Sequence, residues 1–132
     1  DTTLRIVDYK TGGSPKTPAN IEQLFTPSET RPNYIFQTFL YAAIMSRQQS
    51  LKVAPSLLYI HRAASESYSP VIEMGEPRQP KIPVSNFAFF EDEFRDRLQR
   101  LLEEIFDENE PFTQTEDTKK CAYCDFKAIC KR

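Results

Sequence analysis

The stretch LRIVDYKTGG, residues 4–13, places an acid and a base at the end of an apolar segment. Its aliphatic and β-branched residues predict a strand, and the Thr11-Gly12-Gly13 run predicts the turn that ends it. Because residues two apart in a strand project from the same face, we expect Asp8 and Lys10 to point together and Tyr9 to point away. By itself, such a pair is typical of a surface ion pair at the edge or end of a strand.

Helical and strand patterns follow this stretch along the chain. Apolar residues recur at helical spacing in two long segments, whose predicted buried faces are Ile35, Phe36, Phe39, Leu40, Ala43 and Ile44 in the first and Phe94, Leu98, Leu101, Leu102, Ile105 and Phe106 in the second. The predicted elements are a helical turn at Ile21, Leu24 and Phe25, a helix over 34–49, strands over 55–61 and near 71–72, and a helix over 91–108 before Pro111, with 63–67 and 75–83 exposed.

The order of these elements predicts an α/β (α+β) domain, in which helices flank a small mixed sheet. At 132 residues, the chain is long enough for one domain with its own core. A strand predicted to begin after only three residues, together with an odd number of cysteines, leads us to expect further sequence upstream.

Composition narrows the classes of partner. The formal net charge is -2, so no global basic field attracts nucleic acid, and any DNA contact needs local basic groups or a metal ion. No segment approaches the ~18–20 apolar residues of a membrane span, and the first residues do not resemble a signal peptide. We therefore expect a cytoplasmic protein without a membrane partner.

Three cysteines close to the C-terminus form the strongest local pattern. Cys121, Cys124 and Cys130 have the spacing C-x2-C-x5-C, which is typical of thiolates that converge on one metal centre. Zinc and a [4Fe-4S] cluster both fit this chemistry, and either requires a fourth ligand from elsewhere. His61 is the only histidine, and its place after an apolar strand indicates a half-exposed strand-end residue rather than a ligand.

Three motifs occur in a specific order: VDYKTG at 7–12, QTFLY at 37–41 and PFTQTEDTKKCAYCDFKAIC at 111–130. This ordered set resembles the RecB-like branch of the PD-(D/E)XK nucleases, which includes the RecB and AddB nuclease domains and CRISPR-associated exonucleases with iron-sulfur clusters. The resemblance implies a restriction-endonuclease-like core, of which residues 1–132 form the C-terminal portion, with 121–130 as a cysteine segment that binds a metal or cluster.

The resemblance also implies roles for individual residues. Asp8 would bind Mg²⁺ or Mn²⁺, a hard cation that suits carboxylate oxygen, and the backbone carbonyl of Tyr9 would face the same ion. Lys10 would orient the attacking water or stabilise developing negative charge. Gln37 and Tyr41, which lie one helical turn apart, would line the site from the adjacent helix.

The C-terminal motif implies two further features. In the family, the cysteines would tie this segment to the N-terminal part of the nuclease domain through a [4Fe-4S] cluster. Basic residues surround them and either contact DNA phosphates or form a solvated charged tail: Lys119, Lys120, Lys127, Lys131 and Arg132.

The chain also departs from the family pattern. The family's early histidine, its G-x-x-D-R-x-D motif and its first cluster cysteine are not found in this sequence. We therefore expect a metal-dependent DNA exonuclease or endonuclease of recombination and repair that works with a helicase domain or subunit and is weakly active or inactive by itself. The alternatives are a non-catalytic DNA-binding or scaffolding module with a degenerate nuclease fold, and a zinc-binding interaction module.

Overall fold

The computed structural model describes residues 2–131. The chain divides into two compact units, residues 1–100 and residues 101–132. The described elements are β1 (Thr3–Lys10), α1 (Glu22–Phe25), α2 (Asn33–Ser46), β2 (Lys52–Tyr59), β3 (Glu73–Met74), β4 (Ile82–Pro83), α3 (Ala88–Phe106), α4 (Thr118–Cys121) and α5 (Lys127–Cys130), with a 3-10 turn at Ile60–Arg62.

A β–α–β unit forms the centre of the first unit. β1 and β2 pair in parallel, from Thr3 opposite Lys52 to Lys10 opposite Tyr59, and α2 packs against both strands. β2 is almost continuously buried, whereas every position of β1 is half-buried or exposed. Since the strands are parallel, their carboxyl ends lie at one edge, and Lys10 ends β1 there.

Helix α2 presents Ile35, Phe39 and Ala43 to the core, as their spacing predicts. The helix ends at Ser46 rather than at residue 49, so the predicted C-terminal boundary was too late. Ile44 is 49% exposed, and its predicted burial was wrong. Consecutive helical residues differ by about 100° in direction, and the neighbouring Ala43 takes the inward position.

Aromatic side chains fill the core between α2 and the start of α3. Phe39, Phe87 and Phe94 are fully buried, with ring centroids 5.3 Å apart for Phe39–Phe87 and 5.8 Å for Phe39–Phe94. In α3 only Phe94 is buried, and Leu98 packs at the edge of the core. The predicted buried stripe was wrong further along this helix, where Leu102, Ile105 and Phe106 are exposed.

The strand predicted near residues 71–72 lies slightly later in the chain, as β3, and pairs antiparallel with β4. Glu73 and Met74 of β3 face Pro83 and Ile82 of β4, and an isolated antiparallel bridge joins Val71 to Ser56 of β2. Small sheets with flanking helices confirm the predicted α/β class, although the parallel and the antiparallel pair form two separate two-stranded sheets rather than one mixed sheet.

β2 ends earlier than predicted, at Tyr59, and its end is fixed by a tyrosine. The Tyr68 hydroxyl donates to the Leu57 carbonyl at 2.7 Å and accepts from the Tyr59 amide at 2.9 Å. His61 consequently lies in the exposed 3-10 turn rather than in the strand. Residues 63–67 are exposed, as predicted.

The second unit has no buried side chain among residues 101–131. Its short helices α4 and α5 are joined by a turn in which the Cys124 amide donates to the Cys121 carbonyl at 3.2 Å. The side-chain amide of Gln114 donates to the Cys130 carbonyl at 3.0 Å and ties the preceding segment to the end of α5.

Within residues 2–131, none of the helices combines the length and apolar character needed to cross a bilayer.

Candidate active site

The predicted acid–base pair lies at the carboxyl end of β1. Asp8 and Lys10 share one face of the strand, with Lys10 Nζ 2.8 Å from Asp8 Oδ2, while Tyr9 points away and is 64% exposed. The side chains of Lys10 and Asp8 are only 13% and 16% exposed. The pair is therefore largely shielded from water, unlike the surface ion pair that such a motif usually forms.

Helix α2 adds two of the predicted residues to this pair. Lys10 Nζ donates to Gln37 Oε1 at 2.8 Å, and Gln37 Nε2 donates to the Tyr41 hydroxyl at 2.7 Å. Asp8, Lys10, Gln37 and Tyr41 thus form a continuous chain of polar contacts. The structure brings together the side chains that the sequence placed on two separate elements.

Tyr34 belongs to the same site, although it was not predicted as a site residue. Lys10 Nζ lies 4.4 Å from the centre of its ring, a cation–π contact. Tyr34, Gln37 and Tyr41 are spaced i, i+3 and i+7 along α2 and therefore share one face. Adding Tyr34 to the Q-x-x-x-Y pattern by this spacing would have found it from the sequence.

Tyr59 lies beside Tyr34, with their ring centroids 6.4 Å apart. Burial raises the pKa of its phenol, and the nearby groups Tyr68, Tyr34 and Asp8 raise that pKa further. The Tyr59 hydroxyl therefore remains protonated throughout the neutral range. It adds no negative charge next to the Asp8 carboxylate.

Gly13 shapes the turn that leaves β1. Its φ of +80° is a conformation that side chains rarely adopt, and a Cβ there would lie 3.0 Å from Cε2 of Tyr34. A Cβ on Gly12 would meet no atom within 4 Å. The close approach of the turn to the site aromatic therefore requires glycine at position 13, and position 12 borders open space.

One atom of the site has the character of a metal ligand. Asp8 Oδ2 is buried and accepts no well-directed hydrogen bond from the described residues. Lys10 Nζ lies within ion-pair distance of this oxygen, but not in a direction that makes a hydrogen bond. An oxygen with unused lone pairs fits a hard divalent cation. Within residues 2–131, however, no group of three or more His, Cys, Asp or Glu side chains could hold a metal ion. Asp8 accordingly fits as one ligand of such an ion.

The three described cysteines do not have the arrangement of a preformed metal site. Cys121, Cys124 and Cys130 are half-buried and form no disulfide. In the part of the chain that the structure describes, they do not form a ligand group for a metal ion.

The predicted basic residues of this segment are exposed. Lys127 and Lys131 lie at the surface with Lys119, and Lys120 pairs with Asp117 at 3.3 Å. Arg132 lies outside the described residues. Acidic neighbours such as Asp117 reduce the positive potential of this patch.

Comparison with known proteins adds one positive finding. The family model described as PD-(D/E)XK nuclease superfamily matches residues 1–131. No curated protein and no solved structure matches the chain significantly. The match covers nearly the whole sequence, including the Asp8–Lys10 strand, the Gln37–Tyr41 helix and the cysteine segment. The chain therefore belongs to the PD-(D/E)XK nuclease superfamily.

Proposed function

We propose that this nuclease chain contributes the Asp8–Lys10 half of a divalent-metal-dependent deoxyribonuclease site. The chain of contacts from Asp8 through Lys10 and Gln37 to Tyr41 is the observation that supports this most directly. A bound Mg²⁺ or Mn²⁺ would offset the charge that builds on phosphorus and lower the pKa of the attacking water. Asp8 Oδ2 would hold the ion, with the Tyr9 backbone carbonyl as a second ligand.

Lys10 would stabilise negative charge at the site, and Gln37 and Tyr41 would hold the lysine in position. Lys10 supplies a cation with three donors, of which one goes to Gln37. Another side of the ammonium group faces Asp8 Oδ2 at 2.8 Å, and a remaining donor would go to a phosphate oxygen or to the attacking water. Gln37 fixes the lysine in place through its carbonyl oxygen, and Tyr41 fixes the Gln37 amide in turn. Such held donors stabilise developing charge without reorganising during the reaction.

The metal site proposed here needs further ligands. Mg²⁺ takes octahedral coordination, and a single carboxylate leaves most of it to water or to other groups. We propose that a carboxylate outside residues 1–132 completes the site, and that the chain alone cleaves DNA weakly or not at all. Robust Mg²⁺-dependent cleavage by this chain would contradict that incompleteness.

The test of the chemistry is a cleavage assay in Mn²⁺, which accepts imperfect sites more readily than Mg²⁺. End-labelled single-stranded and double-stranded DNA are incubated with the chain, with the Lys10→Ala and Asp8→Asn variants and with Arg100→Ala, an exposed control. We expect residual cleavage that both site variants lower by about 100-fold or more and the control leaves unchanged. Cleavage insensitive to both site variants would contradict the proposal.

We further propose that Cys121, Cys124 and Cys130 are three ligands of a [4Fe-4S] cluster in the complete protein. Their C-x2-C-x5-C spacing and the absence of a disulfide among them support this. Iron, sulfide and zinc analysis after purification without oxygen tests it. We expect a weak or labile iron chromophore, since three thiolates leave one position open, and stoichiometric zinc would favour the interaction-module alternative.

The sequence motifs support a narrower place within the nuclease superfamily. The order of the D-x-K strand, the Q-x-x-x-Y helix and the cysteines supports a RecB-like or AddB-like exonuclease of DNA recombination and repair, with a helicase domain or subunit as partner. A cytoplasmic location is part of the same proposal. Digestion of end-blocked against open DNA by the complete protein distinguishes an exonuclease from an endonuclease.

A further inference from the structure

Two clefts of the first unit meet beside the candidate active site. The smaller, about 290 Å³, lies between the turn after β1 and the start of α2, and the larger, about 560 Å³, lies beyond the end of β2. Lys16, Ile35 and Tyr59 line both clefts, so the two are adjacent. We call them together the basic groove.

The charge of this groove is opposite to that of the whole chain. Lys16, Arg31 and Arg62 line it, against the single carboxylate of Glu73, although the formal net charge of the protein is -2. The hydroxyls of serines 65, 67 and 69 and the His61 ring line the larger cleft as well. Cations and hydroxyls of this kind are the groups that contact phosphate oxygens in nucleic-acid complexes.

Two of the three cations, Lys16 and Arg31, are held in place by hydrogen bonds. Lys16 Nζ donates to the carbonyls of Thr30 and Arg31, at 2.9 and 3.2 Å, and so joins the two loops that form the walls. Arg31 Nε donates to Asn33 Oδ1 at 2.6 Å, which leaves its other guanidinium donors for a ligand. Arg62 is exposed in the 3-10 turn.

Tyr34 connects the basic groove to the active site. Its ring lines the smaller cleft and also lies 4.4 Å from Lys10 Nζ. Tyr34 is 39% exposed, so part of its side chain is accessible to a base. A positively charged groove with an aromatic platform is the arrangement by which proteins hold single strands.

We propose that the basic groove binds the sugar-phosphate backbone of single-stranded DNA on one side of the Asp8–Lys10 site, with a base against Tyr34. This rests on the proposed function and adds the path of the substrate strand to it. Clefts of this size match drug-sized ligands, so they fit individual nucleotides of one strand rather than a duplex. The DNA path therefore runs along the first unit, whatever the cysteine segment contributes.

Fluorescence anisotropy tests this path without requiring turnover. A labelled oligothymidylate of about 12 nucleotides, within the range of single-strand sites, is titrated with the chain in Ca²⁺ at several salt concentrations. Arg31→Glu and Arg62→Glu are compared with Arg47→Glu, an exposed arginine at the opposite end of α2. Circular dichroism checks that each variant is folded.

We expect each groove variant to weaken binding by roughly 3- to 10-fold and to lower the salt slope of log K by about 0.7, the value for one phosphate contact to a single strand. Arg47→Glu should change neither quantity. Unchanged affinity in both groove variants, an equal loss in Arg47→Glu, or no binding by the wild-type chain would overturn the proposal.

The cleavage assay separates this proposal from the nuclease assignment. If Lys10→Ala removes cleavage while Arg31→Glu and Arg62→Glu bind and cleave as the wild type does, the nuclease site stands and the groove proposal falls. If the groove variants lose affinity while Lys10→Ala and Asp8→Asn leave cleavage unchanged, the groove stands and the nuclease site falls.

Discussion

Lys10 is the residue on which the other site contacts depend. Its ammonium group contacts the Asp8 carboxylate, the Gln37 amide and the Tyr34 ring, all within a largely shielded volume. A lysine amine is a flexible point charge on a long stem, so its position is set by what surrounds it. Here the neighbours come from β1 and α2 together.

Gln37 should therefore matter through Lys10. The Gln37→Leu variant removes the acceptor for Lys10 Nζ and the donor to Tyr41, and we expect cleavage by the active nuclease to fall about 10- to 100-fold because the lysine loses its position. The free energy of unfolding should fall by about 1 kcal/mol. Tyr41→Phe, which removes only the outer end of the contact chain, should cost a few-fold in rate. If the two variants lowered kcat equally, Gln37 would have no larger role than Tyr41 in holding Lys10.

Gly12 and Gly13, the two glycines after β1, differ in what an added Cβ would contact. Gly13→Ala places a Cβ against Tyr34 at a positive φ, and we expect a loss of about 1–2 kcal/mol in the free energy of unfolding. Gly12→Ala should lie within about 0.5 kcal/mol of the wild type, because its Cβ meets open space. Urea denaturation of both variants measures this. A neutral Gly13→Ala variant would show that the turn does not constrain Tyr34.

Tyr59 gives the site a defined pH dependence of stability. Because its folded pKa is raised above the unfolded value of about 10, its contribution to stability is complete below that pH and is lost as the pH rises through the folded pKa. We expect the free energy of unfolding to fall above about pH 10 and Tyr59→Phe to flatten this decline. Urea denaturation between neutral and alkaline pH measures both proteins. Parallel curves would contradict the burial of this phenol.

Helix α3 contributes one fully buried side chain to the core. Phe94 is fully buried, while Phe89 on the same helix is 82% exposed. We expect Phe94→Ala to lower the free energy of unfolding by about 3–5 kcal/mol, since it opens a cavity among the rings of the core. Phe89→Ala should change it by less than about 0.5 kcal/mol. Similar losses in the two variants, measured by urea denaturation, would argue against the position of α3.

Element types were predictable from the sequence because local spacing determines them. The strand at Asp8 and the helix at Gln37 were predicted correctly, and so was the burial of Phe39 and Phe94. The exposure of Ile44 and Phe106 was not predictable, because helical periodicity says which residues share a face but not whether another element covers it.

At the scale of the whole molecule, the site depends on pairing between distant segments. The sequence predicted that Asp8 and Lys10 point together, since two residues of one strand alternate predictably. The contact of Lys10 with Gln37 depends on the register of β1 against β2 and on the packing of α2. No local sequence pattern specifies either of these. The basic groove was missed for the same reason, since Lys16, Arg31 and Arg62 come from separate loops.

Mn²⁺ line broadening in amide NMR spectra tests most directly whether a divalent cation binds at Asp8 beside Lys10. This measurement detects weak binding and does not require cleavage. We predict that Mn²⁺ broadens signals from Tyr9, Lys10 and Gln37 first, and that Asp8→Asn abolishes this pattern while Asp92→Asn, an exposed control on α3, does not. Broadening that is centred elsewhere, or that survives in Asp8→Asn, would contradict cation binding at Asp8.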